Sequence, residues 1–311
     1  MAKILITESV HPIGPELLTA AGHTVVYANR DMDVIRREIV DADAVLVRII
    51  ELPGSLLATA KNLKIVSKHG VGYDNIDLDY CKSHGVAVTI TPNANSLSVA
   101  EHAFTLMLTL AKNIIPVSNE YRTVGFAAKN HAPGIEMTGK TLGLIGMGRI
   151  GKHVLHMCKD GLDMHVIVYD PYISEVPEGV EKVDDLSELL RRADVVTLHC
   201  LLTDETRKLI DRERLALMKP TALLINCARG PIVDEAALIE ALENGRLAGA
   251  GLDVTDPEPV APDCPLFKLP NVIVTPHYAP TTVESATRVS KIAAENINAV
   301  LAGQEPVGRI V

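Results

Sequence analysis

Three residues with charged or titratable side chains each follow an apolar run that predicts a β-strand. Arg229 follows TALLINCA, Glu258 lies in DPEP beyond LAGAGLDV, and His277 follows NVIVTP. An imidazole titrates near neutral pH and suits proton transfer, while an adjacent carboxylate stabilises its protonated form and fixes its tautomer. A guanidinium binds a carboxylate through two parallel hydrogen bonds. Together these residue types suit proton transfer at a carbonyl group that stands beside a carboxylate.

Two phosphate-binding patterns overlap in the segment GIEMTGKTLGLIGMGRIGK. Gly134 to Thr141 match the nucleoside-triphosphate P-loop, whereas Gly146, Gly148 and Gly151 match the dinucleotide pattern G-x-G-x-x-G. A phosphate-binding loop must follow a strand and open onto a helix. The strand TLGLI comes after the first pattern but before the second, and IGKHVLHMCKD then has a helical apolar period. The context therefore favours a bound dinucleotide over a nucleoside triphosphate.

Asp170 supplies the second part of a dinucleotide site. It ends the predicted strand HVIVYD and lies nineteen residues beyond Gly151, where this fold places an acidic acceptor for the ribose hydroxyls. The carboxylate repels a 2′-phosphate, and Pro171 and Tyr172 follow it instead of a compensating arginine. We therefore expect NAD in preference to NADP. Taken alone, Asp170 is equally well interpreted as a turn residue at the end of a strand.

The predicted elements form two α/β domains. The strands KILIT, HTVVYA, DAVLVRII, LKIVSKHG and VAVTIT alternate with helical patterns and predict a parallel, flavodoxin-like sheet. Six further strands, TLGLI, MHVIVYD, DVVTLHC, TALLINC, LAGAGLDV and NVIVTP, predict a second doubly wound sheet with helices at 185–191, 211–218 and 234–243. The segment SLSVAEHAFTLMLTLAKNII is apolar nearly all round, which predicts a helix buried between domains or between subunits. The last helix, ESATRVSKIAAENINAVLAG, is amphipathic and is placed to return to the first domain.

The carboxyl ends of parallel strands meet at one sheet edge, where doubly wound folds bind ligands. We therefore expect Arg229, Glu258 and His277 to converge there, with His277 as the acid/base, although a histidine satisfied within a loop is the alternative. In the first domain, Gly70 to Gly72 follow a strand and present successive N–H groups as a candidate anion site. A plain glycine turn is the alternative for that segment.

Composition narrows the class of partner. The chain has 311 residues and a net charge of -9 without a basic block, so nucleic acid is not expected as a partner. The N-terminus has no apolar region long enough for a signal peptide, and no stretch has the length of a membrane span, so we expect a cytoplasmic protein without a membrane partner. The five cysteines are scattered and odd in number, which favours reduced thiols. Four residues have types and spacing that could bind a metal: His153, His156, Cys158 and His165. Structural roles are favoured for them, and no metal is expected.

Several motifs, in this order and spacing, resemble the D-isomer-specific 2-hydroxyacid dehydrogenases, especially the branch of phosphoglycerate dehydrogenase and hydroxypyruvate or glyoxylate reductase. They are HGVGYDNIDL, SLSVAEHAFTLML, GKTLGLIGMGRIGK, INCARGPIVDEAALIEAL, GAGLDVTDPEP and VTPH. The resemblance implies a substrate domain of residues 1–98 plus 281–311 around an inserted NAD domain of residues 99–280. It implies an NAD-dependent conversion between a small anionic 2-keto acid and its D-2-hydroxy acid.

The resemblance also implies roles for particular residues. Arg229 would bind the substrate carboxylate, Glu258 would orient His277, and His277 would transfer the proton. The backbone of Val71 and Gly72 would bind the same carboxylate. A homodimer is implied through the helix at 100–115. Further cofactor-binding residues are implied at the pyrophosphate, the adenosine end and the carboxamide: Arg149, Ile150, Cys200, Thr206, Cys227, Ala228 and Asp253.

The chain departs from the family pattern at several positions, so the side chain of the substrate is not predicted. His199, Cys200 and Leu201 stand where a proline is common, which should alter the adenine-side wall. Lys68 and His69 precede the glycine loop where a small residue is usual, and Pro280 replaces a serine or glycine; these positions are expected to face the substrate. Arg48 resembles an extra anion-binding arginine, but a surface salt bridge is the alternative. The sequence ends at Val311, so an appended regulatory domain is not expected.

Two other functions share these motifs. The first is a binding protein that senses NAD, because corepressors that resemble this family retain the same three residues. The second is formate dehydrogenase, which is disfavoured because that branch resembles the rest except for a glutamine at the position of Glu258.

Overall fold

The computed structural model describes residues 1–130 and 133–311, which form twelve strands and eleven α-helices. The strands are β1 (Lys3–Ile6), β2 (Thr24–Tyr27), β3 (Ala44–Val47), β4 (Ile65–Lys68), β5 (Ala87–Thr89), β6 (Thr141–Ile145), β7 (His165–Tyr169), β8 (Val180–Lys182), β9 (Val195–Leu198), β10 (Leu223–Asn226), β11 (Gly249–Leu252) and β12 (Val272–Val274). The helices are α1 (Ile13–Ala20), α2 (Met32–Glu38), α3 (Gly54–Leu57), α4 (Leu78–Ser83), α5 (Ser96–Ala111), α6 (Ile114–Val124), α7 (Arg149–Leu162), α8 (Leu186–Arg192), α9 (Arg212–Leu215), α10 (Glu235–Glu243) and α11 (Val283–Leu301). Short 3₁₀ helices lie at Ile39–Asp41, Gly125–Asn130, Gly230–Ile232 and Pro265–Lys268.

The chain divides into two units, one of Met1–Asn95 with Pro280–Val311 and one of Ser96–Ala279. The first unit contains a five-stranded parallel sheet in the order β2-β1-β3-β4-β5, the flavodoxin-like arrangement that the sequence predicts. Because side chains alternate across a strand, Leu5 packs on one face and Ile4 and Ile6 on the other. The C-terminal helix α11 covers the second face, where Ile297 is fully buried.

The second unit contains a seven-stranded parallel sheet in the order β12-β11-β10-β9-β6-β7-β8. The sequence predicts six of these strands and misses β8, because its residues Val-Glu-Lys are only one apolar position in three and it lies at the sheet edge. Helices α5 and α7 cover one face, and α8, α9 and α10 cover the other. Strands β7 and β8 lie on one side of β6, whereas β9 to β12 lie on the other, so the order in which strands are added to the sheet reverses between β6 and β9. Such folds bind ligands at this position.

Aspartate side chains start most of the short helices, as an N-cap that accepts from the first-turn N–H groups. The helices α2, α4, α8, α9 and α10 have this cap from Asp31, Asp77, Asp185, Asp211 and Asp234. The sequence predicts the last three of these helices, although α9 ends at Leu215 and not at residue 218.

The expected helix at 100–115 has different ends in the structure. Helix α5 ends at Ala111, and Asn113 adopts a left-handed conformation with φ 50° before α6 begins at Ile114. The apolar residues of α5 are buried within the second unit: Leu106, for instance, lies against Gly251 of β11, where an added Cβ would be 3.0 Å from the leucine Cβ. The apolarity of α5 therefore reflects packing inside its own unit.

Candidate active site

The three glycines of the dinucleotide pattern have three different environments. Gly146 has φ 89°, and a Cβ on it would lie 2.8 Å from the backbone N of Cys200 at the end of β9. Gly151 packs against the loop itself, since its Cβ would lie 2.2 Å from the carbonyl oxygen of Gly146. Gly148 is exposed, faces open space and is the N-cap of α7 without a side-chain cap. The loop therefore leaves the first-turn N–H groups of a fourteen-residue helix accessible to an anion.

Asp170 lies beside this loop. Its Oδ2 accepts a hydrogen bond from the N–H of Met147 over 2.9 Å, and its Oδ1 accepts from the N–H of Tyr172 over 3.0 Å. The carboxylate thus connects the glycine loop after β6 to the turn after β7. Its partial exposure leaves it available to a further donor.

Two cysteines expected near the cofactor are neutral thiols. Burial, with a smaller effect from the charge of Asp170, raises the pKa of Cys200 to about 11. Burial likewise raises the pKa of Cys227, at the end of β10, well above its ordinary value. Thr206 closes its own loop, because its hydroxyl donates to the carbonyl oxygen of Leu201 over 2.6 Å. None of these three side chains therefore carries a charge near neutral pH.

Arg229 directly follows β10 and the residue Ala228. Its Nη1 donates to the carbonyl oxygen of Ala228 over 2.7 Å, and its own carbonyl oxygen accepts from Nδ2 of Asn226 over 2.9 Å. The next residue, Gly230, approaches the loop after β11 so closely that a Cβ would lie 1.9 Å from the carbonyl oxygen of Thr255. The loop of Arg229 therefore packs on the loop that leads to Glu258.

His277 and Glu258 form a hydrogen-bonded pair, with Nδ1 and Oε1 2.9 Å apart. The side chains are 32% and 39% exposed, so the pair is open to a ligand. The backbone of His277 has φ 53°, which is uncommon for a residue with a side chain. Its N–H donates to the carbonyl oxygen of Asp253 over 2.8 Å. The conformation is therefore held by the neighbouring strand end.

Asp253 organises the turn around His277. It is only 1% exposed, and its carboxylate accepts from the hydroxyl of Thr275 over 2.6 Å and from the N–H groups of Tyr278 and Ala279 over 2.7 and 2.8 Å. His102 on α5 extends this network, because its Nε2 lies 3.0 Å from the Thr275 hydroxyl. Since that hydroxyl donates to Asp253, it accepts from His102, which places the imidazole proton on Nε2.

Sequence reasoning misses two of the supporting residues. His102 lies within SLSVAEHAFTLML, where no local pattern distinguishes it from the other polar residues of the helix, and only its contact with Thr275 gives it a role. Glu235 directly follows the N-cap Asp234, and its Oε2 accepts from the N–H of Asp256 over 3.0 Å, which fixes the loop that carries Glu258. Burial raises the pKa of Glu235, with the charge of Asp256 acting in the same direction.

In the first unit, the glycine loop after β4 has the form of an anion nest. Gly70 has φ 142°, and its carbonyl oxygen accepts from the N–H of Thr91 over 2.9 Å. In the part of the chain that the structure describes, the N–H groups of Val71 and Gly72 have no intramolecular acceptor. Arg48 directly follows β3 and donates from Nη1 to the carbonyl oxygen of Ser9 over 2.9 Å.

Lys68 and His69 directly precede the glycine loop of the first unit, at positions that the sequence predicts to face the substrate. Lys68 is 7% exposed, and its ammonium donates to Oδ1 of Asn75 over 2.6 Å and to the carbonyl oxygen of Arg48. Burial, together with the charges of Arg48 and Lys68, lowers the pKa of His69 to about 3. The ammonium of Lys68 is therefore bonded inside its own unit, and His69 is neutral.

The four residues considered as metal ligands do not form a cluster. His156 pairs with Asp160 over 2.5 Å, Cys158 is buried, and His165 is exposed at the start of β7. Across residues 1–130 and 133–311, no group of three or more histidine, cysteine, aspartate or glutamate side chains is arranged to hold a metal ion. Within the same residues, no helix has both the length and the apolarity of a membrane span.

Comparison with known proteins gives the same family from sequence and from structure. Residues 104–279 match the family model described as D-isomer specific 2-hydroxyacid dehydrogenase, NAD binding domain. The chain is 43% identical over 308 residues to D-3-phosphoglycerate dehydrogenase of Methanocaldococcus jannaschii, covering 98% of this chain and 58% of that protein. It is 38% identical over 319 residues to glyoxylate reductase of Thermofilum pendens, covering 98% of this chain and 93% of that protein.

A solved structure of D-lactate dehydrogenase from Aquifex aeolicus, complexed with NAD and lactic acid, superposes with a TM-score of 0.88. It is 32% identical and covers 96% of each chain. The chain spans little more than half the length of the phosphoglycerate dehydrogenases that it matches, at 58% and 56%. The matched motifs, the two parallel sheets and relatives this similar over almost the whole chain establish that it belongs to the D-isomer-specific 2-hydroxyacid dehydrogenase family.

Proposed function

We propose that the chain is an NAD-dependent oxidoreductase that interconverts a small 2-keto acid and its D-2-hydroxy acid. The observation that carries this proposal is the His277–Glu258 pair, 2.9 Å apart, at the same sheet edge as Arg229 and the glycine loop. The carboxyl ends of four strands, β6, β10, β11 and β12, supply these residues. The family membership and the names of the relatives support the same reaction class.

The glycine loop and Asp170 fit the dinucleotide. The open surface at Gly148 admits a phosphate to the N-terminus of α7, where Arg149 and Ile150 also lie, and Asp170 is placed beside the loop to accept from ribose hydroxyls. Asp253 retains lone pairs on Oδ2 beyond the bond from Ala279, and we assign it to the carboxamide. The dinucleotide held by these residues would supply the hydride for the carbonyl carbon, or would take it up in the reverse direction.

His277 supplies the proton. Because Nδ1 is engaged by Glu258, Nε2 gives its proton to the carbonyl oxygen as that oxygen becomes a hydroxyl, and takes the proton back in the oxidation. Glu258 stabilises the charged imidazolium before the transfer and fixes the ring orientation. Arg229 binds the substrate carboxylate. In the first unit, the N–H groups of Val71 and Gly72, and Arg48, are the candidates for binding an anionic group of the substrate.

The test is NADH oxidation with a panel of 2-keto acids that includes glyoxylate, hydroxypyruvate, pyruvate and 3-phosphohydroxypyruvate. We expect turnover with at least one of them, and oxidation of only the D-isomer of the corresponding hydroxy acid. Absence of turnover with every acid in a broader panel, although NADH binds, would contradict the proposal and favour a protein that senses NAD.

We further propose a homodimer, formed mainly through α6 and not through the core of α5. None of the residues of α6 is buried, and the apolar side chains on it and just after it are 44–73% exposed: Ile114, Ile115, Tyr121, Val124 and Phe126. Large apolar side chains left exposed along one segment favour a protein interface there. Light scattering should give the mass of a dimer for the wild type and of a monomer for Ile115→Glu/Tyr121→Glu. The same change at exposed Val307 is the control.

The cytoplasm is the compartment we propose. The five cysteines are free, and four of them are buried. Thiols persist in a reducing compartment.

A further inference from the structure

Tyr172 and Glu205 join two loops across the sheet edge that carries the glycine loop. Tyr172 follows β7 and Glu205 follows β9, and these strands lie on either side of β6. The phenol oxygen of Tyr172 donates to Oε2 of Glu205 over 3.0 Å. Because the glycine loop follows β6, the two side chains connect the loops that flank it.

Both ends of this bridge are fixed by local hydrogen bonds. The N–H of Tyr172 donates to Oδ1 of Asp170, so the tyrosine is held directly after the ribose-binding candidate. The loop of Glu205 is closed by Thr206, whose hydroxyl accepts from the N–H of Thr203 over 2.7 Å and donates to the carbonyl oxygen of Leu201. Glu205 is therefore presented at a defined place although it is exposed.

Tyr172 contacts two carboxylates, because its N–H donates to Asp170 and its phenol donates to Glu205. The hydrogen bond to Glu205 raises the pKa of Tyr172, and the charge of Asp170 raises it further, so both carboxylates act on one phenol. Within residues 1–130 and 133–311, Glu205 forms no ion pair that would neutralise it. Nearby Lys208 pairs instead with Asp234, over 3.1 Å.

We propose that Glu205, held in place by Tyr172, is a second acidic determinant beside Asp170 that sets the preference for NAD over NADP. The inference rests on the proposed NAD site. A 2′-phosphate carries between one and two negative charges near neutral pH, and it would enter the field of two carboxylates in place of one. The 2′-hydroxyl of NAD is neutral and is not repelled. Tyr172 is a positioning residue in this scheme, because it acts through Glu205.

The test measures cofactor binding directly, without turnover. Since the chain contains no tryptophan, dissociation constants for NADH and NADPH are obtained from the fluorescence of the bound reduced cofactor and checked by calorimetry. In E205Q, which keeps a hydrogen-bond acceptor for Tyr172, we expect NADPH to bind about 5- to 30-fold more tightly and NADH to change by less than about twofold. The gain for NADPH should shrink as salt is raised, because salt screens exposed charges.

Two further variants make the test decisive. D170N should keep part of the preference for NADH, and D170N/E205Q should lose more of it. The control is E243Q, which removes one exposed glutamate charge at the end of α10. Glu243 lies shortly before β11, at the opposite edge of the sheet from the glycine loop. The ratio of the dissociation constants for NADH and NADPH in E243Q should equal that of the wild type. An unchanged NADH to NADPH ratio in E205Q, or a preference abolished entirely by D170N alone, would overturn the inference. Failure of the proposed function would appear differently, as a wild type that binds NADH but reduces no keto acid.

Discussion

Nδ1 of His277 and Oε1 of Glu258 lie 2.9 Å apart, although the two residues follow different strands, β12 and β11. The pairing engages Nδ1, and Nε2 is the ring nitrogen to which we assign proton transfer. The carboxylate end of the pair is supported by Glu235, which binds the N–H of Asp256. The imidazole end is supported by Asp253, whose carbonyl oxygen accepts from the N–H of His277 and whose carboxylate accepts from the N–H of Tyr278. The proposed proton-transfer group is thus positioned from two directions by buried or half-buried carboxylates.

The first prediction concerns His277 itself. His277→Ala removes the acid/base, so kcat for NADH oxidation should fall by about two to four powers of ten while NADH still binds. The matched control is His165→Ala, which removes an exposed histidine from the amino end of β7, at the opposite edge of the sheet. A kcat equal to that of the wild type would exclude His277 from the mechanism.

The second prediction concerns His102, which we regard as a positioning residue. His102→Ala removes the donor to Thr275 and should lower kcat several-fold, with a loss of about 1 kcal/mol in the free energy of unfolding. His102→Gln carries an amide N–H and should restore most of kcat, because it can still donate to the Thr275 hydroxyl. Steady-state kinetics and urea unfolding of both variants provide the check. If alanine and glutamine lower kcat equally, the hydrogen bond has no part in positioning the turn.

The third prediction concerns the contact of Gly230 with Thr255. A Cβ at position 230 would lie 1.9 Å from a backbone oxygen, which cannot move as a flexible side chain can. Gly230→Ala should therefore separate the loops of Arg229 and Glu258, costing about 1–3 kcal/mol and most of the activity. Gly161→Ala is the control, because that glycine is helical, exposed and in open space, and alanine there should stabilise by up to about 1 kcal/mol. Thermal unfolding compares the two.

The fourth prediction concerns pH and His199. Burial lowers the pKa of His199 to about 3 in the folded protein, from 6.5 in the unfolded chain. Between these two pH values the ring is neutral in the folded protein but binds a proton in the unfolded chain. Stability from this residue is therefore complete above pH 6.5 and is lost progressively as the pH falls toward 3. Between neutral pH and pH 5 the loss should be about 2 kcal/mol.

Chemical denaturation at pH 7 and pH 5 measures this difference. His199→Gln should reduce the difference in the free energy of unfolding between the two pH values by about that amount, whatever its effect on stability at pH 7. The control is His165→Gln, at an exposed position, which should leave this difference as it is in the wild type. Equal pH dependence in wild type and His199→Gln would show that the ring titrates normally in the folded protein.

By itself, the sequence determined the two parallel sheets, eleven of the twelve strands, the glycine loop and the succession of Gly151 and Asp170. These features depend on local chemistry: apolar runs of strand length, aspartate N-caps such as Asp234, and glycines where the backbone approaches a neighbour. The motifs therefore predicted which strand ends carry the charged residues.

Tertiary structure alone decided what those residues contact. It showed that Lys68 is bonded inside its unit, that His102 reaches Thr275, and that Tyr172 binds Glu205 across β6. It also revealed the edge strand β8, whose short, mostly charged sequence lacks a strand pattern. The contacts of His102 with Thr275 and of Tyr172 with Glu205 join residues far apart in the chain, so they depend on strand order and loop closure, which no local sequence pattern specifies.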